Sequence, residues 1–192
     1  MSVDRSVGEG VMTWLRACSH VLLTAHERPD GDAFGSLFGL QAALRGLGKE
    51  ASVYLRQPLP RKYRRLMRAE GNVWTQRWPT DVRFDGLVCL DVTEEARVDL
   101  PDGVTPKQVS DNICVIDHHP DNQRFGTVNW VDPDMAATAQ MIADLWRVPA
   151  LSIPKDAATA LLTGLVADSG GFRFQNTTPA ALTGAAYLIE AG

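Results

Sequence analysis

Short apolar runs alternate with helix-spaced stretches along most of this chain. Apolar residues at helical intervals predict helices over 6–18, 31–47, 60–68, 135–146, 155–166 and 178–191. Continuous apolar runs predict buried strands over 20–25, 51–55, 86–91 and 113–117. This alternation predicts an α/β fold whose mostly parallel sheet has about five strands, with helices on both faces.

Acidic residues and histidines follow three of the predicted strands. His26, Asp30 and Asp32 come after the first strand, Asp91 ends the third, and Asp117-His118-His119 ends the fourth. Because the carboxyl ends of parallel strands meet at one edge of a sheet, we expect these side chains to lie together. Carboxylates mixed with imidazoles, without thiolates, favour Mn²⁺ over Zn²⁺.

The spacing suits two ions rather than one. His26 and Asp30 can face one ion while Asp32 faces its neighbour, and Asp91 can bridge both. Two ions about 3.5–4 Å apart would hold a hydroxide between them and clamp phosphoryl oxygens during in-line attack. An aspartate after a strand is usually only a turn or a helix cap, so each residue alone would be weak evidence. The conjunction predicts a metal site.

The last candidate acidic residue along the chain is Asp168, which lies between an apolar run and a segment with two glycines. His118 supplies a further imidazole, which leaves His119 to hydrogen-bond a phosphate or act as a general acid. Asp117 more plausibly orients a histidine than binds metal. His20 begins a strand without an acidic neighbour in sequence, so we expect a structural role for it.

Bulk properties restrict the class of protein. The net charge of −4 argues against a dominant electrostatic grip on nucleic acid. The three cysteines are scattered among apolar residues, which favours reduced core thiols. Neither a signal peptide nor a membrane span is evident, so a cytoplasmic location without membrane association is expected.

These motifs resemble those of the DHH phosphoesterase superfamily, over nearly the whole chain. The matching segments, in chain order, are 26–33, Asp91, 117–120 and 168–170. The first of them, together with the run Phe172-Arg173-Phe174-Gln175-Asn176-Thr177, is similar to the NrnA-type branch. Members of that branch are bifunctional oligoribonucleases that also dephosphorylate 3′-phosphoadenosine 5′-phosphate (pAp).

The resemblance implies a ligand set and an activity. One Mn²⁺ would take His26, Asp30 and Asp91, and the other would take Asp32, Asp91, His118 and Asp168, with Mg²⁺ or Co²⁺ as alternative metals. His119 would contact the substrate phosphate. The implied substrates are short RNA oligonucleotides and pAp. The alternatives are a family II-like inorganic pyrophosphatase, a RecJ-like single-strand exonuclease and a non-enzymatic nucleotide-binding module, and retention of every expected ligand argues against the last.

The family pattern also has a second, smaller domain (DHHA1) with a glycine-rich substrate motif. This motif does not occur here. We therefore interpret residues 1–178 as the DHH catalytic domain and 179–192 as the start of an interdomain helix, without the DHHA1 domain. Low activity is expected of such a fragment, because half of the substrate cleft would be missing. A homodimer is left open.

Two arginine-containing segments have competing interpretations. The run Arg61-Lys62-Tyr63-Arg64-Arg65, with Arg68, could guide a nucleic-acid backbone, but we favour a solvated helix face. Arg173 could reach a substrate phosphate with its planar guanidinium, and a structural ion pair is an equal alternative.

Overall fold

A parallel sheet of six strands forms the centre of the computed structural model, which describes residues 5–66, 72–148 and 151–192. The strands lie in the order β3-β2-β1-β4-β5-β6, and every neighbouring pair is parallel. They are β1 (His20–Thr24), β2 (Glu50–Leu55), β3 (Asn72–Thr75), β4 (Gly86–Leu90), β5 (Ile113–Asp117) and β6 (Val128–Val131). The chain runs outward from β1 to β3 and then returns to β4. Strand order therefore reverses between β1 and β4, where α/β folds form their ligand crevice.

Six α-helices occur in the described part of the chain. They are α1 (Arg5–Ala17), α2 (Gly31–Gly46), α3 (Pro106–Val109), α4 (Thr138–Leu145), α5 (Lys155–Asp168) and α6 (Pro179–Ala191). Five of them confirm predicted helices with small shifts at the ends. The predicted helix over 60–68 is wrong: the chain forms only a 3₁₀ turn at Arg61–Tyr63, and residues 67 and 68 lie outside the described ranges.

The sheet has six strands, where about five were expected and four were located in the sequence. The two strands that the sequence did not reveal are β3 and β6. Each is an edge strand of four residues. Only one residue of β6, Trp130, is fully buried. An edge strand has one neighbour instead of two, so its residues need not form a continuous apolar run.

Helices lie on both faces of the sheet, but unequally. The larger core joins α1, α2, α4, α5 and α6 to one set of alternating strand residues, such as Leu23, Val88 and Ile116. The opposite set, including Leu87, packs against the short α3 side of the molecule and its loops. The long helices therefore share one face, and they bring their ends to the same edge of the sheet.

Helices α2 and α5 approach each other through glycines spaced four residues apart. A β-carbon added to Gly35 would lie 2.6 Å from the backbone of Gly164, and one added to Gly31 would lie 2.3 Å from the β-carbon of Ala167. A β-carbon at Gly39 would lie 2.5 Å from the side chain of Leu161. Because residues four apart share a helix face, these three glycines form one contact surface. It places the start of α2 beside the end of α5.

The three cysteines, Cys18, Cys89 and Cys114, are buried and free, which agrees with the prediction of core thiols. Within the described ranges, no helix combines the length and the apolar character that crossing a membrane requires.

Candidate metal centre

The loop after β1 carries the first predicted ligands. Asp30 caps α2: its Oδ1 accepts hydrogen bonds from the backbone N–H groups of Asp32 (2.9 Å) and Ala33 (3.2 Å). Such a cap satisfies amides that a helix start leaves unpaired. The other oxygen, Oδ2, stays available for an ion.

The segment after β4 holds the backbone around His26 through hydrogen bonds. His26 pairs with Val98 in an antiparallel bridge, and the Asp99 N–H donates to the Ala25 carbonyl at 2.8 Å. Burial lowers the pKa of His26 despite the opposing charge of Asp30, and nearby Arg97 lowers it further. A neutral imidazole is the form that binds metal. Its buried Nδ1 has no hydrogen-bond partner in the structure.

Asp91 lies at the centre of the group, directly after β4. It is 3% exposed, and its backbone φ of +56° is in the left-handed region, which aspartate tolerates better than most residues. Its Oδ2 lies 3.8 Å from His26 Nε2, and its Oδ1 lies 3.7 Å from His118 Nε2. One carboxylate therefore faces imidazoles from two different strand ends.

Asp32 is held by the start of α4. It accepts hydrogen bonds from the N–H groups of Thr138 (2.7 Å) and Ala139 (3.0 Å), and the Thr138 hydroxyl donates to Asp91 at 3.2 Å. A helix N-terminus stabilises negative charge. Each carboxylate oxygen has a second lone pair, so these bonds orient Asp32 without using its full capacity to bind an ion.

His118 and Asp168 complete the group from β5 and α5. The Nδ1 of His118 lies 3.3 Å from the Met135 carbonyl, which leaves Nε2 to face Asp168 Oδ2 at 3.7 Å. Fixing one ring nitrogen on a carbonyl is the usual arrangement of a metal-binding histidine. The Asn176 amide donates to Asp168 Oδ2 at 3.1 Å and so fixes that carboxylate too.

The predicted ligands assemble into clusters that could each hold an ion. Within each cluster the donor atoms lie within 4.8 Å of one another. Two donors that each lie about 2.1 Å from one ion are about 3–4 Å apart, so distances of 3.7 and 3.8 Å between imidazole nitrogens and carboxylate oxygens suit coordination. The clusters are His26–Asp30–Asp91, Asp32–His118–Asp168 and Asp91–His118–His119.

Electrostatics favour cations at this position. Burial, reinforced by the charge of Asp30, raises the pKa of Asp91 to about 7. Burial and the charge of Asp91 raise the pKa of Asp32, and burial raises that of Asp168. Among the described residues, no lysine or arginine forms an ion pair with these three carboxylates. Divalent cations would supply the missing positive charge, so the residues fit such ions.

His119 also belongs to a hydrogen-bonded relay with Asp117 and Asn122. Asp117 Oδ1 accepts from His119 Nδ1 at 2.7 Å, and Asp117 Oδ2 accepts from the Asn122 amide at 2.7 Å. Burial would raise the pKa of Asp117, but the hydrogen bonds from His119 and Asn122 outweigh it and lower the pKa. The bond to Asp117 raises the pKa of His119 to about 9. His119 Nδ1 is thereby engaged, and its Nε2 is left for a substrate.

Arg173 is exposed beside the cluster but belongs to none of the three groups. Its Nε donates to the Gly170 carbonyl at 2.8 Å. No ion pair to Arg173 occurs in the described residues, so the predicted alternative of a structural ion pair is not observed.

Three polar residues of the site were missed by sequence reasoning: Asn122, Thr138 and Asn176. Asn122 lies five residues after Asp117, a spacing that could have suggested a turn amide. Thr138 had no such indication, because β6 was unrecognised and its loop was not placed at this edge of the sheet. Asn176 lies in the run from Phe172 to Thr177, where no sequence pattern indicates that its amide would hold Asp168.

Comparison with known proteins shows the family to which the chain belongs. Residues 20–165 match the description "DHH family, N-terminal domain". The chain belongs to the DHH family. Within the DHH family it is 42% identical, over 173 residues, to the bifunctional oligoribonuclease and PAP phosphatase NrnA of Thermus thermophilus, covering 90% of this chain and 50% of that protein.

One further sequence relative and one solved structure are also similar to this chain. NrnA of Bacillus subtilis is 27% identical over 88% of this chain and 52% of its own length. The structure of an exopolyphosphatase-related protein from Bacteroides fragilis superposes with a TM-score of 0.83 at 20% identity, covering 100% of this chain and 59% of that one. The last likeness shows the fold alone. The chain spans about half the length of the curated relatives it matches.

Proposed function

We propose that this chain carries the catalytic centre of a Mn²⁺-dependent phosphoesterase that hydrolyses short oligoribonucleotides and pAp. The observation that carries the proposal is the pair of potential ion clusters, His26–Asp30–Asp91 and Asp32–His118–Asp168. The buried carboxylate of Asp91 connects them, because its oxygens face both His26 and His118. The identity to the Thermus protein supports the choice of substrates. The alternative substrates, pyrophosphate and longer single strands, are left as arms of the test.

The ligands divide between two ions. His26, Asp30 and Asp91 would hold one, and Asp32, Asp91, His118 and Asp168 would hold the other. Manganese suits this donor set because carboxylate oxygens and imidazoles are present without a thiolate. When bound, the two ions would polarise phosphoryl oxygens and make water acidic enough to act as a nucleophile near neutral pH.

The protein's own residues orient and bind the substrate. His119, whose pKa is raised to about 9 by its bond to Asp117, carries a positive charge at neutral pH and presents Nε2 outward. Its 43% exposed side chain can donate to a phosphate oxygen and can give a proton to a leaving group. Asp117 positions His119 through one oxygen and is itself held by Asn122 through the other. Arg173 would contribute a second phosphate contact.

The proposal is tested by incubating the purified protein with Mn²⁺ and separate samples of a diribonucleotide, pAp, inorganic pyrophosphate and a long single strand. Hydrolysis of the diribonucleotide and pAp is the expected result. An enzyme that leaves both intact but cleaves pyrophosphate would be the family II type, and cleavage of long single strands alone would indicate the RecJ type. Retention of all substrates would contradict the activity.

Metal binding is measured separately, so that an inactive preparation remains informative. Titration with Mn²⁺, followed by the paramagnetic signal of the free ion, should give two sites per chain. Asp91→Asn should weaken both sites, because one oxygen of its carboxylate faces His26 of the first cluster and the other faces His118 of the second. Loss of only one site would contradict the bridging role of Asp91.

A further inference from the structure

A second charged feature lies beside the metal centre, and the proposed chemistry does not use it. We call it the basic turn: Arg61, Lys62, Arg64 and Arg65 surrounding Tyr63. All four basic side chains are exposed. In the described part of the chain no carboxylate pairs with any of them. Four positive charges in five residues contrast with the net charge of −4 of the whole chain.

The turn is attached to the loop that carries the first metal ligands. The Tyr63 ring packs on Phe34 with 4.8 Å between centroids. Its hydroxyl lies 3.1 Å from the position that a β-carbon on Gly31 would take, and Gly31 stands between Asp30 and Asp32. Tyr63 therefore anchors the basic turn at the rim of the centre.

Lys62 also contacts Tyr63. Its Nζ lies 4.6 Å from the centroid of the same Tyr63 ring, in a cation–π contact. One ring thus touches the ligand-bearing helix start through its hydroxyl and a cation through its face. The positive charge begins one aromatic ring away from Gly31.

The alternative interpretation, a solvated helix face, does not suit this geometry. The segment forms only a three-residue 3₁₀ turn, so it has no helix face, and its central aromatic side chain is committed to α2. Neighbouring unpaired cations repel one another, and a bound polyanion relieves that repulsion while it releases its own counterions.

We propose that the basic turn binds the phosphodiester backbone of single-stranded RNA next to the nucleotide held at the metal centre. This inference rests on the proposed function, because it assumes an oligonucleotide in the site. It gives the turn a role in recognising substrate length: a pentaribonucleotide has further nucleotides whose phosphates extend beyond the one held at the centre, whereas both phosphates of pAp belong to a single nucleoside. The turn therefore distinguishes chains from mononucleotides.

The test uses the double variant Arg64→Ala/Arg65→Ala. The matched control is Lys107→Ala/Lys155→Ala, which removes two exposed positive charges elsewhere. Lys155 begins the 14-residue helix that ends at Asp168, so it lies about 20 Å from the centre at about 1.5 Å per residue. Values of kcat and KM are measured for a pentaribonucleotide and for pAp at several salt concentrations.

We expect the Arg64/Arg65 variant to raise KM for the pentaribonucleotide about tenfold, while kcat and both constants for pAp stay unchanged. Its KM should also depend less on salt, with a log–log slope smaller by about 1.4 for two lost phosphate contacts on a single strand. The control should match the unaltered protein. An unchanged KM for the pentaribonucleotide, or an equal rise for pAp, overturns the proposal.

Failure of the proposed function remains distinguishable. If the unaltered protein cleaves neither substrate, binding of a fluorescently labelled pentaribonucleotide is followed by anisotropy for the same three proteins. Weaker binding by the Arg64/Arg65 variant alone supports the basic turn as an RNA contact. Equal binding by all three overturns it.

Discussion

The two ends of the same sheet carry similar residue types in different arrangements. At the amino end, His20 Nε2 lies 2.9 Å from the Ser52 hydroxyl, and Asp85 accepts hydrogen bonds from the N–H groups of Ser19 and His20 at 2.6 and 3.0 Å. At the carboxyl end, imidazole nitrogens stand 3.7 and 3.8 Å from the Asp91 oxygens. One end is closed by direct hydrogen bonds, and the other leaves room between its polar atoms.

This difference separates a structural cluster from a binding cluster. Direct bonds at the amino end stabilise the fold, because the polar groups of His20, Ser52 and Asp85 are paired within the protein. At the carboxyl end, buried carboxylates repel one another, and no lysine or arginine in the described ranges pairs with Asp32, Asp91 or Asp168. A protein keeps such an arrangement when a ligand supplies the missing charge.

The largest expected effect comes from removing charge at the carboxyl end. Asp91→Asn should abolish turnover and the rise in melting temperature that Mn²⁺ produces, because each of the two proposed ions loses a ligand. Asparagine also tolerates the left-handed backbone of position 91. Thermal unfolding with and without Mn²⁺ measures the effect.

The matched substitution at the amino end is Asp85→Asn. It should leave turnover and Mn²⁺ stabilisation intact and cost about 1 kcal/mol of folding free energy, because the amide nitrogen cannot accept one of the two backbone hydrogen bonds that Asp85 accepts. If Asp85→Asn also removed the response to Mn²⁺, the contrast between the two ends would be false.

A smaller effect is expected from the relay behind His119. Asp117→Asn should lower kcat about 100-fold while Mn²⁺ affinity changes little, since the residue orients His119 and contacts no proposed ion directly. Steady-state kinetics and Mn²⁺ titration on the same preparation separate the two quantities. A fall in affinity as large as that of Asp91→Asn would instead make Asp117 or His119 part of the ion site.

Helix packing should affect the centre indirectly. Gly35→Ala places a β-carbon 2.6 Å from the Gly164 backbone, so it should destabilise the fold by about 1–3 kcal/mol and weaken Mn²⁺ binding by separating α2 from α5. Gly10→Ala, where a β-carbon meets nothing within 4 Å, should stabilise α1 by about 0.5–1 kcal/mol. Urea denaturation compares them, and equal stabilities would contradict the close contact.

A small effect, on stability alone, is expected from Ser52→Ala at the amino end. The variant loses the hydrogen bond to His20 and should be less stable by about 1 kcal/mol, with normal turnover. Loss of activity without loss of stability would show that the amino end has a chemical role.

The sequence predicted which acidic residues and histidines meet better than it predicted the residues that support them. Asp30, Asp91 and His118 could be expected to meet because they follow strands whose apolar runs are continuous. The edge strands β3 and β6 have weaker patterns, and without β6 the loop leading to Thr138 could not be placed. The left-handed backbone of Asp91 and the two amides that hold Asp32 depend on tertiary packing, which no local pattern encodes.

The basic turn shows a different limit. The sequence shows that residues 61–65 are positively charged. Their role could not be predicted, because it depends on where Tyr63 packs. A helical period was read into residues that form a short 3₁₀ turn. A sequence shows where charged residues occur, but it does not show which part of the fold they lie beside.

The glycine contact between α2 and α5 has a consequence for how the protein is made. Asp32 and Asp168 lie far apart in sequence, and at about 5–20 residues per second a ribosome needs on the order of ten seconds to pass from one to the other. During that interval the early aspartates exist without the helix that sets their spacing. The nascent chain can therefore acquire its full complement of metal only after α5 has emerged and docked, which makes metal loading a late event in biosynthesis.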